Sequence, residues 1–271
     1  MKSSLSGALI SLWLLVTTSG CSFSSETIAI ERAETALLEG DQEKAFEHYK
    51  SVVERYVRTP SAIKAAREAA RISHYELKKF PEALKYYKHV ILYSPNEKER
   101  IDAQAKTADL YFNQTLEYNE AITAFNRLLE LPHKLEDGHR YRLAIARSYF
   151  YLNNFFQAQV EIDKIVGTKP SKDLAFDALL LKANIFLTTK KLEEAITVLG
   201  MLINQYPERS KNETIGLILA ICYEEQENYT KAIETLLSIR DSYPRKAFIE
   251  NKIKVLKERE SYRPGAKGFK K

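Results

Sequence analysis

Six alanines recur along this chain at nearly one interval: Ala45, Ala83, Ala121, Ala158, Ala195 and Ala232, spaced 38, 38, 37, 37 and 37 residues. Four residues after each stands a large apolar residue: Tyr49, Tyr87, Phe125, Ile162, Leu199 and Leu236. Seven after comes another: Val52, Val90, Leu128, Ile165, Leu202 and Ile239. Offsets of four and seven lie on one helix face, so each alanine marks a place where two helices cross closely. Pro95, Pro170, Pro207 and Pro244 follow four of the anchors at an offset of twelve. A period of this length, holding two helix-length pieces, predicts a helical solenoid. Solenoids offer long grooves and seldom carry chemistry, so the repeat points to binding.

The first twenty residues read differently. Lys2 precedes the run Ala8-Leu9-Ile10-Ser11-Leu12-Trp13-Leu14-Leu15-Val16, which is too short for a membrane span and right for a signal-peptide core. Thr17-Thr18-Ser19-Gly20 and then Cys21 resemble a bacterial lipoprotein signal, with Thr18 standing where leucine is usual. That resemblance implies lipidation of Cys21. It divides the chain into a signal peptide at 1–20, a short linker at 21–27, a solenoid at 28–260 and a basic, disordered tail at 261–271. The linker spans at most about 20 Å when extended, which holds the solenoid near the membrane. With Cys21 lipidated, Cys222 is the one remaining thiol, and its apolar neighbours mark it as a small buried hydrophobe.

The formal net charge is +5. Lys2 supplies one of these charges, and Arg263, Lys267, Lys270 and Lys271 supply four, so the solenoid body is neutral. Nucleic-acid binding needs cations clustered on the folded surface, and this balance argues against it.

Helix punctuation agrees with the period. Gly40-Asp41 suits a helix stop followed by a start. Pro81 suits a first helical turn. Ser94…Glu97 and Ser210…Glu213 read as capping boxes. Phe80, Tyr118, Phe155, Leu192 and Tyr229 form an apolar plug three residues before the anchor, with Gln42 the exception. No run alternates as a half-buried strand does.

Asn228-Tyr229-Thr230-Lys231-Ala232-Ile233, Leu192-Glu193-Glu194-Ala195-Ile196 and Tyr118-Asn119-Glu120-Ala121-Ile122 resemble the turn and second helix of tetratricopeptide (TPR) repeats. Ala146…Tyr149, Ala183…Phe186 and Ala220…Tyr223 resemble the small–aromatic pair of the TPR first helix. Earlier units depart from it. Arg71 and Asp109 stand where a small residue is usual, His74 stands where an aromatic is, and repeat three carries an extra residue near Thr115-Leu116. The resemblance implies an all-α fold: a right-handed TPR superhelix of about six helix pairs, closed by a capping helix over Lys246–Glu260. In style the units resemble TPR lipoproteins of bacterial envelopes, notably the BamD-like component of the β-barrel assembly machinery.

No Gly-rich phosphate loop, paired-cysteine site or nucleophile–base spacing stands out. The chain is therefore read as a non-enzyme without cofactor, metal or small-molecule substrate. The densest histidine cluster, His133 to His139, is read as a solvated polar loop. Asn113, Asn212 and Asn228 match the glycosylation triplet by chance. In TPR folds the first helix of each pair lines the concave groove. Transferred by offset from the anchors, this implies Arg140, Arg147 and Tyr151 in repeat four, Asp177 and Asn184 in repeat five, and Glu224 in repeat six. The set that clamps a C-terminal carboxylate in some TPR proteins is not assembled, because Leu180 stands where its lysine would be. An extended or helical protein segment is the expected ligand. Ser22 is not the aspartate that retains lipoproteins at the inner membrane of enteric bacteria. The resemblance thus implies the periplasmic face of the outer membrane and a scaffold binding protein partners in envelope assembly. The alternatives are a pilotin-like lipoprotein for secretin or pilus assembly, and a structural part of a motility or cell-wall machine.

Overall fold

The computed structural model describes residues 25–262. The signal peptide, Cys21 and the tail from 263 onward lie outside them. The described residues form helices in antiparallel pairs, with no strand among them. The first three pairs are α1 (Ser25–Leu38) with α2 (Gln42–Tyr56), α3 (Pro60–Arg71) with α4 (Phe80–Tyr93), and α5 (Glu97–Leu110) with α6 (Tyr118–Glu130). Next come α7 (Leu135–Tyr151) with α8 (Phe155–Val166), and α9 (Lys172–Thr188) with α10 (Leu192–Gln205). In the sixth pair the first helix is broken into α11 (Pro207–Asn212) and α12 (Ile215–Glu225), which pack with α13 (Tyr229–Ile239). A last helix, α14 (Lys246–Ser261), covers α13 through Ile249, Ile253 and Leu256. Helices pack chiefly on those next in sequence or one further along, which is the one-dimensional contact pattern of a solenoid. Because α1 opens at Ser25, the described end of the 21–27 segment is already helical.

The anchors lie where the period places them. All six alanines have no accessible surface. The six residues four positions on are buried, and so are five of the six at seven; Ile239 is half-buried. Every plug residue, Gln42 included, is the first residue of its second helix. Burying a side chain such as Leu199 or Phe125 contributes about 1.5–3 kcal/mol. Each pair therefore rests on two or three such contacts around a close crossing.

The difference between 38 and 37 residues has a local cause. In units one, four, five and six the first helix ends in a Schellman turn. An amide reaches the carbonyl five residues back in each: Asp41 to Ala36, Asn154 to Tyr149, Lys191 to Phe186 and Asn228 to Tyr223. The residue before each amide is left-handed: Gly40, Asn153, Lys190 and Glu227. In units two and three the return bond reaches six residues back, from Lys79 to Ser73 and from Glu117 to Tyr111. One residue is absorbed as a π turn, at Ile72–Glu76 and at Tyr111–Thr115. This resolves the departure seen at Arg71 and Asp109. The small residue of each first helix is Ala70 or Ala108, one position earlier and fully buried.

Three further expectations are corrected. The Ser94…Glu97 box does not form. Asn96 caps α5, its Oδ1 accepting from the amides of Lys98 (3.0 Å) and Glu99 (3.4 Å), while Ser94 donates to the Glu99 carboxylate (2.7 Å). Ser210 is no cap either; it is buried inside α11 and donates to the Leu202 carbonyl (2.8 Å). Both serines sit beside proline-bent turns, where each hydroxyl donates to a nearby oxygen, and the amide that Ser94 Oγ accepts from is that of Asn96 (3.2 Å) rather than one inside the helix. The expected polar loop at His133–His139 is also largely helical, because α7 begins at Leu135.

Candidate partner-binding groove

The first helices α1, α3, α5, α7, α9 and α11–α12 follow one another along one side of the solenoid. Polar bridges tie four of the five successive neighbours: Glu34 to Lys64 (2.6 Å), Arg67 to Glu99 (2.8 Å), Glu136 to Ser171 (2.8 Å) and Asp173 to Arg209 (3.2 Å). Exposed pairs of this kind each contribute about 0–1 kcal/mol, so they set the spacing of the helices more than they hold the fold.

Arg147 and Asp177 join this ladder. The Arg147 Nη2 lies 3.3 Å from Asp177 Oδ2, and Arg209 grips the other carboxylate oxygen. The Arg209 guanidinium also lies over the Phe176 ring, 4.2 Å from its centroid. Asp177 therefore bridges repeats four and six, and its charge is used within the chain. Glu224 is engaged in the same way, between Lys252 and Arg259 of α14, with Arg259 at 2.8 Å. Arg209, Lys252 and Arg259 escaped the sequence reading. Their partners lie 28 to 36 residues away, a separation that no local pattern marks.

Arg140 and Tyr151 are the more available members. The Arg140 side chain is 64% exposed, with Asp137 at 3.6 Å on its own helix. Tyr151 is 53% exposed and stacks on Tyr118 (centroids 4.8 Å apart), with Phe112 at 6.2 Å. At the junction of repeats three and four the tie between units is thus aromatic. Asn184 is half-buried on α9, and its carbonyl accepts from the Thr188 hydroxyl (2.8 Å). The structure joins Arg147 to Asp177, seats Tyr151 on repeat three, and turns Glu224 towards α14.

The titratable groups with shifted behaviour are structural. Burial pushes the Cys222 thiol up to about 11, with Glu225 adding to it. Burial, with Lys78 and Lys106, lowers His74, whose Nδ1 lies 3.1 Å from the Tyr87 hydroxyl. His139 is buried with its Nε2 2.8 Å from the Thr168 hydroxyl, while His133 is exposed. Among the described residues no group of three or more His, Cys, Asp or Glu is placed to hold a metal ion. No helix among them is long and apolar enough to cross a membrane.

The tetratricopeptide repeat model matches residues 177–209 and 216–245, the first-to-second helix stretches of repeats five and six. No curated protein sequence matches the chain. Among solved structures, a tetratricopeptide repeat protein from Parabacteroides merdae is 19% identical, with a TM-score of 0.53 over 87% of this chain and 88% of that one. A chain of the Naa15/Naa10 complex bound to HypK-THB gives a TM-score of 0.65 at 17% identity, over 86% of this chain and 34% of that one. PilW, described as a widely conserved type IV pilus biogenesis factor, gives 0.52 at 13% identity, over 85% of this chain and 99% of that one. The fold is a TPR-type α-solenoid, and its last two units carry the family's repeat most plainly.

Proposed function

We propose that this chain is a protein-binding scaffold, anchored by lipid on Cys21 to the periplasmic face of a bacterial outer membrane. Its role is to hold protein segments along the first-helix face during envelope assembly, in the manner of BamD-like lipoproteins. The observation that carries the binding part is the available pair Arg140 and Tyr151 on α7, midway along the solenoid, with Tyr151 stacked on repeat three. Arginine and tyrosine offer broad contact area with a polar tip and dominate interface hot spots. The sequence Ser19-Gly20-Cys21 supports the anchor. A pilotin-like role in secretin or pilus assembly is the second reading. It draws on a pilus biogenesis factor being among solved structures of this fold and similar length.

A photo-cross-linker placed at position 151 of the lipidated protein should trap partner protein in intact envelopes. Replacing Cys21 with Ser should release the chain from the membrane fraction. The identity of the trapped protein, barrel-assembly or pilus component, decides between the two readings. If Cys21→Ser still sediments with outer membrane and the wild type carries no acyl chain by mass spectrometry, the anchor is wrong.

A further inference from the structure

A cavity of about 410 Å³ opens between repeats five and six, lined from α10 to the turn after α13 and apart from the groove residues above. The broken first helix of repeat six shapes it. Thr214, between α11 and α12, is left-handed (φ +56°). Gly216 then lets α12 approach Ile239 so closely that a Cβ there would lie 2.6 Å from the Ile239 Cγ2. The floor is apolar, from Ile203, Leu219, Ile239 and Tyr243. Most hydroxyls in the wall are already spent on backbone carbonyls: Ser210 on Leu202, Thr235 on Lys231, Ser238 on Thr235 and Ser242 on Ile239. The donors left over are the exposed Lys211 ammonium and the Thr214 and Tyr243 hydroxyls, for which the described residues provide no acceptor. Ligand sites typically combine such an apolar body with a few unspent polar groups at a volume of roughly 300–1,000 Å³.

We infer that this cavity binds an apolar group ending in a carboxylate, its body on the Leu219–Ile239 floor and its charge at Lys211. Such a ligand comes from an acyl chain or from the apolar C-terminus of a peptide. Calorimetric titration of the purified chain would use decanoate, decanol, and acetyl-Leu-Phe as its free acid and as its amide. One or both acids should bind at least about tenfold tighter than their uncharged counterparts. Lys211→Met should abolish that preference while leaving decanol binding unchanged. Ser238→Phe, at the mouth, should block every probe while far-ultraviolet circular dichroism stays native. Decanoate alone would assign an acyl source, the peptide acid alone a chain terminus, and both the shared chemistry. Failure of both acids to bind, or equal affinity for acid and uncharged probes, overturns the inference. So does binding unaltered in the two variants. Alanine at Arg140 and Tyr151 should leave these titrations unchanged, so they stand or fall apart from the groove.

Discussion

Ala195 has no accessible surface and sits between Leu199, Leu202 and the face of α9. A larger side chain has nowhere to go there except into its neighbours. Ala195→Leu should cost about 1–3 kcal/mol by overpacking. Asn204→Leu, exposed on the same helix, should cost under about 0.5 kcal/mol. Equal urea midpoints for the two variants would show that the anchors are not close crossings. His74 makes a second residue-level case. Burial lowers its pKa, so the unfolded chain takes up a proton more readily than the folded one. Its contribution is unaffected above the ordinary histidine value near 6.5 and becomes destabilising as pH falls below it. His89 is lowered by burial too and acts in the same direction. The melting temperature should therefore drop between pH 7 and pH 5. His74→Phe, which keeps an aromatic ring beside Tyr75 and Tyr87 but removes the titrating group, should flatten part of the slope. An unchanged slope would mean that His74 does not titrate differently on folding.

At the scale of the element, the π turns of repeats two and three are insertions that the helix ends tolerate. Asn113 is exposed within the second of them. Deleting it should let α5 end in the five-residue return of its neighbours and change stability by under about 1 kcal/mol. Deleting Ala144 from the middle of α7 turns every following side chain by about 100° and sends the buried face of that helix to solvent. That variant should fail to give a cooperative transition in urea. Comparable losses from both deletions would show that the π turn is needed for packing. The same logic explains why Arg71 and Asp109 looked misplaced: counting back from the anchor crosses a residue that winds into the turn rather than along the helix.

For the whole molecule, the groove is a composite of ties and free groups. Arg147 is committed to Asp177, while Arg140 and Tyr151 are available. Changing all three to alanine should cost about 0.5–1.5 kcal/mol for the lost Tyr151–Tyr118 stack and up to about 1 kcal/mol for the part-exposed Arg147–Asp177 pair, leaving the chain folded. Partner capture should weaken at least about tenfold, or roughly 1.4 kcal/mol. Circular dichroism and quantitative pull-down from envelopes would check both. Wild-type capture by the folded variant would move the binding site away from α7. Among the single changes, Tyr151→Ala should then carry more of the loss than Arg147→Ala, because removing Arg147 breaks an internal tie first.

The period, the helix pairs and the buried anchors were legible from residue spacing alone. Small residues at close crossings and apolar residues at four and seven leave a local, one-dimensional record. The extra residue of repeat three was legible for the same reason, although its counterpart in repeat two appeared only as a misplaced Arg71 and His74. The tertiary structure decided what the spacing could not. It set Asp177 between Arg147 and Arg209, and Glu224 against α14. It buried His139 in a helix where a polar loop was expected, and opened the cavity beside Lys211. Each of these depends on how far one repeat is rotated and shifted against the next. That geometry arises from many weak contacts between units, and no single segment of sequence encodes it.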